Sequence, residues 1–239
     1  ELMGYGKIER PSVQELYEKN VEHLCIYNIW DCVLVARADR IWQMVTFHID
    51  KAEFAGSALE YATKNMVLVE SYFAHWFREN TEDIMPSVKH VPRRKKEKIP
   101  GAFVHPPPAG FFDYVIEFDN KMQYPAIIIT CNLDNTTRLP DDFCYAGLEG
   151  DDVEIAHSTL PSGRRYKLDP EGTLPHILRT LVLMREAIQA QMKECKLAGD
   201  ETGRIACKNM DRVFKFFMNS FYGALASGTG EKTKFRPMR

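Results

Sequence analysis

Four groups of residues have types and spacings that could do chemistry. In the string KFFMNSFYG, Lys215, Asn219 and Tyr222 fall within about 60° of one another if the segment is helical. Val213, Phe214, Phe217 and Phe221 then take the opposite side, which gives the helix a packed face and a working face. An ammonium and an amide suit a polyphosphate. An aromatic ring followed by Gly223, which permits close backbone approach, suits a base pair. A solvated helix face ending in glycine would give the same pattern.

The second group centres on Arg185, set among Leu178, Leu181, Val182, Ile188 and Met192. An arginine on an apolar stripe is paired, faces a cleft, or snorkels from the edge of the core. The third is Asp119, at the end of the β-prone run FDYVIEFD, where a carboxylate could hold Mg²⁺ for phosphoryl transfer. An aspartate closing a strand is also common without any such role. The fourth is Tyr27 with Asp31, four apart and so on one helix face. A partly exposed pair with no catalytic duty reads the same way.

Taken as strings, these segments resemble family-B DNA polymerases, and they occur in that family's order. KFFMNSFYG resembles motif B, a lysine, three residues, then Asn-Ser-x-Tyr-Gly. GTLPHILRTLVLMREAIQAQM resembles the first fingers helix, whose arginine contacts the incoming triphosphate. The family commonly has a lysine one turn later, where this chain has Gln189. EFDNKMQYPAI resembles motif A in the spacing of Asp119, Tyr124 and Pro125, with Met122 and Gln123 in place of the more usual Ser-Leu. Asn132 and Thr137 match residues that often follow that motif, and Gly101 matches the approach to it, with Ala102 replacing a second glycine. LCIYNIWDCVLV resembles the third proofreading-exonuclease motif, Tyr-x-x-x-Asp.

The resemblance implies roles. Asp119 is the expected catalytic, metal-holding palm carboxylate. Arg185, Lys215 and Asn219 are expected to hold the triphosphate, Tyr124 to be the steric gate against a ribose 2′-hydroxyl, and Tyr222 with Gly223 to face the nascent pair. Asp31 would hold a metal at the exonuclease site, with Tyr27 positioning water. The cofactor is Mg²⁺, two ions in the complete polymerase site. The implied partners are primer–template DNA, deoxynucleoside triphosphates, the C-terminal palm and thumb portion (from the same gene or a split subunit), and a sliding clamp. No Tyr-x-Asp-Thr-Asp-type string follows motif B in these residues. The expectation is therefore a fragment that grips a nucleotide but hardly catalyses alone, with a non-catalytic nucleic-acid or replisome-binding remnant as the alternative.

Positioning these residues requires a largely helical scaffold. Apolar residues at three- and four-residue spacings predict helices around 12–46 and 50–79. A proline-rich, basic stretch follows, and its run Arg93 to Lys98 could track template phosphates or be a solvated loop. Residues 112–119 read as a strand and PAIIIT as the start of a short helix. Residues 138–172 read as loops and short strands, and two long helices are expected at 174–196 and 203–226, joined by LAGDET.

The fold class is α+β, mostly helical, with a palm β-strand region and an antiparallel fingers hairpin. The expected division is 1–80 for the end of a 3′–5′ exonuclease domain and its connection to the palm. Residues 81–172 then form the linker and N-terminal palm, 173–226 the fingers, and 227–239 the start of the return to the palm.

The 239 residues carry 45% hydrophobic and 11% aromatic side chains, enough for a packed core, and a formal net charge of −2. That balance does not itself announce a nucleic-acid binder, because binding depends on local charge. Six cysteines without a CxxC point to reduced thiols in an intracellular protein. No apolar run reaches the ~18–20 residues of a membrane span. With no initiator Met and no secretory leader in view, the expectation is a cut or fragmentary beginning and a cytoplasmic protein at a nucleoid or viral replication site.

Overall fold

The computed structural model describes residues 7–9, 11–81, 104–120, 122–140 and 156–227. The basic run 93–98, Gly101 and Ala102, Cys144 and the stretch 228–239 lie outside them. Helices occupy Val13–Lys19 (α1), Val21–Trp42 (α2), Met44–Phe54 (α3), Asn65–Asn80 (α4), Gln123–Thr130 (α5), Thr173–Ala198 (α6) and Glu201–Ser227 (α7). A 3₁₀ turn covers Leu59–Tyr61, and a small antiparallel sheet joins His157–Thr159 (β1) to Arg165–Lys167 (β2).

Helix ends follow local chemistry. Ser12 caps α1 by accepting from the Glu15 N–H, and Asn20 caps α2 by accepting from the His23 N–H. Asn20, and Gln43 in the left-handed region with φ of 51°, divide the segment 12–46 that the periodicity suggested was helical into α1, α2 and the start of α3. Pro125 sits in the first turn of α5, where a missing N–H breaks no helical bond.

Helices α6 and α7 form the antiparallel hairpin that the sequence suggests. The turn between them is tighter than LAGDET implied. Gly199 ends α6 with φ of 72°, and the Asp200 carboxylate accepts from the Gly203 N–H to start α7.

The core lies where the base of this hairpin meets the earlier helices. Ile177, Leu178 and Leu181 of α6 and Val213 and Phe217 of α7 are fully buried. They pack with Ala52 of α3, Leu68 and Val69 of α4 and Ile128 of α5. Phe54, Tyr72 and Phe217 form a ring cluster with centroids 4.9–5.4 Å apart. Lys51 is buried with its ammonium 4.4 Å from the Phe216 ring and 5.0 Å from that of Phe47, and burial lowers its pKa.

One expectation fails. Residues 112–119 are not a strand; 104–120 has no regular secondary structure, and Tyr114, Ile116 and Phe118 are exposed. A β-prone composition reports how well side chains suit a sheet, whereas a strand exists through ladder bonds to a neighbour. No described segment pairs with this one.

Candidate functional site

On α7 the two faces separate as the spacing predicts. Val213, Phe214, Phe217 and Phe221 are buried, while Lys215 and Asn219 are exposed and Tyr222 keeps 39% of its surface open. A Cβ built on Gly223 meets nothing within 4 Å, so packing among the described residues does not require glycine there.

Tyr124 reaches this face from α5. Met122, with φ of 54°, turns the chain into α5, and the buried Pro125 and Ile128 seat that helix against the hairpin. The Tyr124 and Tyr222 rings then stack at 4.2 Å with an interplanar angle of 22°. Two residues chosen from separate strings thus share one surface.

Arg185 is paired. Its Nε donates to Asp211 Oδ1 at 2.8 Å and its Nη2 to Oδ2 at 3.4 Å. Gln189 Nε2 donates to the same Oδ1 at 2.7 Å. Asp211 was not singled out from sequence. The available signal was its place four residues before Lys215, which puts an acid on the working face opposite α6.

The base of α6 is fastened by a second polar group. Asn132 Nδ2 donates to the carbonyls of Lys167 and Pro170, and its Oδ1 accepts from the Gly172 N–H at 2.8 Å. Gly172, the N-cap of α6, has no side chain to offer. Asp134 Oδ2 does that work instead, accepting from the Leu174 N–H at 2.9 Å. The backbones are so close that a Cβ on Gly172 would lie 2.4 Å from that of Asp134. Thr137 completes the group by donating to the Asn132 carbonyl at 2.6 Å. The matched Asn132 and Thr137 therefore brace the hairpin.

Near this brace is a hollow of about 480 Å³, lined by Ile129, Thr130, Asn132, Leu168, Glu171 and Arg179. None of the predicted catalytic or nucleotide-binding residues lines it. Burial pushes the Glu171 carboxyl up, but hydrogen bonds from Arg179 and His176 outweigh this and hold it below the usual range.

The remaining candidates are not drawn into the Tyr124–Tyr222 surface by any bond. Asp119 is exposed on the irregular segment, with no ion pair to a described residue. Tyr27 and Asp31 are half-buried one turn apart on α2, which packs chiefly on α1. Among the described residues no three His, Cys, Asp or Glu side chains gather as a metal site.

The model of DNA polymerase family B matches residues 58–231. The chain belongs to DNA polymerase family B. Similar family-B sequences include the DNA polymerase of Pyrococcus glycovorans, 25% identical over 91% of this chain and 27% of that polypeptide. The DNA polymerase alpha catalytic subunit of Oxytricha trifallax is 28% identical over 84% of this chain and 14% of its own length. The solved family-B polymerase of the archaeon Pyrobaculum calidifontis shares the fold, with a TM-score of 0.68 at 20% identity, over 96% of this chain and 29% of that one. The chain thus spans less than a third of the length of each of these relatives. Among the described residues no helix of this family-B chain is long and apolar enough to cross a membrane.

Proposed function

We propose that this chain is the nucleotide-gripping part of a DNA-directed DNA polymerase, acting on primer–template DNA and deoxynucleoside triphosphates. The observation that carries the reading is the Tyr124–Tyr222 stack on the face that bears Lys215 and Asn219. A ring surface beside an ammonium and an amide suits a nucleotide, whose flat base and charged tail need both.

In this reading Lys215 and Arg185 oppose the charge of the triphosphate, and Asn219 hydrogen-bonds it. The Tyr124 ring fills the space of a ribose 2′-hydroxyl. Tyr222 lies under the nascent pair, and the open space at Gly223 lets that pair approach the backbone. The primer 3′-oxygen bonds to the α-phosphorus, the bond to the bridging oxygen breaks, and pyrophosphate leaves while the hydroxyl proton passes to water.

Asp119 offers a hard carboxylate oxygen, the donor that Mg²⁺ takes together with phosphates and water, so it fits one ion of the pair. When bound, Mg²⁺ supplies the charge that offsets the developing negative charge on the phosphate. Asp119 is the single palm carboxylate that we assign within these residues; the second would come from polypeptide outside them, together with the thumb. Tyr27 and Asp31 are assigned to a proofreading site on the same terms.

The test is to add a polypeptide bearing the second palm carboxylate motif and follow primer extension. Extension that needs both pieces and is lost in Asp119→Ala supports the reading. Firm duplex binding without extension would instead favour a nucleic-acid-binding remnant. In the extending complex, Tyr124→Ala should admit ribonucleotides more readily, and unchanged sugar discrimination removes Tyr124 as the gate.

A further inference from the structure

Asp211 is a carboxylate on the very face assigned to a polyanion, which calls for an explanation. It accepts from Arg185 Nε at 2.8 Å, from Arg185 Nη2 at 3.4 Å and from Gln189 Nε2 at 2.7 Å. The arginine and aspartate side chains are 15% and 21% exposed, so the pair is largely shielded from water. Breaking such a pair by removing one partner leaves a poorly solvated charge.

We propose that Asp211 is a positioning residue that regulates the triphosphate grip: it fixes Arg185 by its Nε edge and tempers the positive charge around Lys215. This rests on the reading of Arg185 and Lys215 as phosphate ligands. A guanidinium has five donors in a rigid fork. Asp211 engages the Nε and Nη2 nitrogens, and Nη1 takes no partner among the described residues. Arg185 can therefore stay paired while presenting its remaining donors to a phosphate.

Gln189 contributes through the same carboxylate. Its amide nitrogen donates to Asp211, and as a neutral side chain it adds no positive charge. Asp211 also lies one helical turn from Lys215, so its charge opposes any anion held there. The arrangement exchanges affinity for a fixed geometry.

The experiment measures equilibrium binding of dATP and of inorganic tripolyphosphate to the 239-residue chain at low and high salt. Asp211→Asn keeps an oxygen to accept from Arg185 and Gln189 but removes the charge. Its affinity for both probes should rise about three- to tenfold at low salt, the gain shrinking as salt screens it. Asp211→Ala loses the same charge and the acceptor, so its gain should be smaller than that of Asp211→Asn.

A merely structural role would lower the melting temperature of both variants without raising affinity. Unchanged or weaker binding by Asp211→Asn overturns the proposal. Lys215→Ala tests the underlying reading separately and should lose affinity for both probes. Wild-type binding that Lys215→Ala leaves intact would sink that reading, whatever Asp211 does.

Discussion

The rings of Tyr124 and Tyr222 lie 4.2 Å apart and nearly parallel, joining α5 to α7 across the candidate site. Both rings are partly open to water, at 48% and 39% of their surface. Their coupling should therefore fall near the low end for aromatic pairs. A double-mutant cycle with Tyr124→Leu and Tyr222→Leu, read by urea unfolding, should give about 0.5 kcal/mol. Strict additivity would mean that the stack forms without stabilising anything.

The close approach at Gly172 sets a second outcome. Gly172→Ala places a methyl 2.4 Å from the Asp134 Cβ, and both are backbone-anchored atoms. The chain must shift, at a cost of about 1–3 kcal/mol. Asp134→Ala removes the cap on α6 and should cost about 1 kcal/mol. Thermal unfolding measures both, and a neutral Gly172→Ala would show that the brace yields easily.

Tyr72 should titrate unusually late. Burial among Phe54, Phe217 and Phe221 pushes its hydroxyl up to about 12. The folded value lies above the unfolded one, so the favoured neutral form contributes stability that is fully present below pH ~10. That contribution is lost as pH rises toward about 12. Tyrosinate absorbance in wild type and Tyr72→Phe should differ by one late transition. A transition at the ordinary tyrosine value would refute the burial argument.

Glu171 moves the other way. Its folded carboxyl is held below the usual range by Arg179 and His176, despite the opposing effect of burial. Its stabilising effect is present above the unfolded value and is lost as pH falls through the folded one. Glu171→Gln should therefore flatten the acid limb of the stability curve, its difference from wild type shrinking as pH falls through the folded value of Glu171. Identical acid limbs would remove Glu171 from the account.

Much of this was legible in the chain, for identifiable reasons. The spacing of Val213, Phe214, Phe217 and Phe221 foretold the buried face of α7 because helical periodicity alone decides it. The hairpin of α6 and α7 was readable for the same reason. Phe112 to Asp119 misled because strand composition says nothing of a pairing partner. Asp211 and Asp134 escaped notice because their meaning lies in residues 22 to 40 positions distant, Gln189, Arg185 and Leu174. The Tyr124–Tyr222 contact was equally invisible, since each string was informative alone but neither fixed the distance between them.

The short turn at Gly199 and Asp200, and a core weighted toward the other end of the hairpin, have a mechanical consequence. Two helices packed mainly toward one end, with Arg212 bonded to the Trp42 carbonyl part-way along, and joined directly at the tip form an overhanging arm. At 1.5 Å per residue, the 26 residues of α6 make an arm about 39 Å long. Arg185 sits about 18 Å along it. A tilt of about 5° at the root would sweep the tip by about 3 Å and Arg185 by about 1.5 Å. Tyr124, on α5, is not carried on that arm. Such a tilt about Gly172 and Asp134 would change how far the arginine stands from whatever rests on the tyrosine.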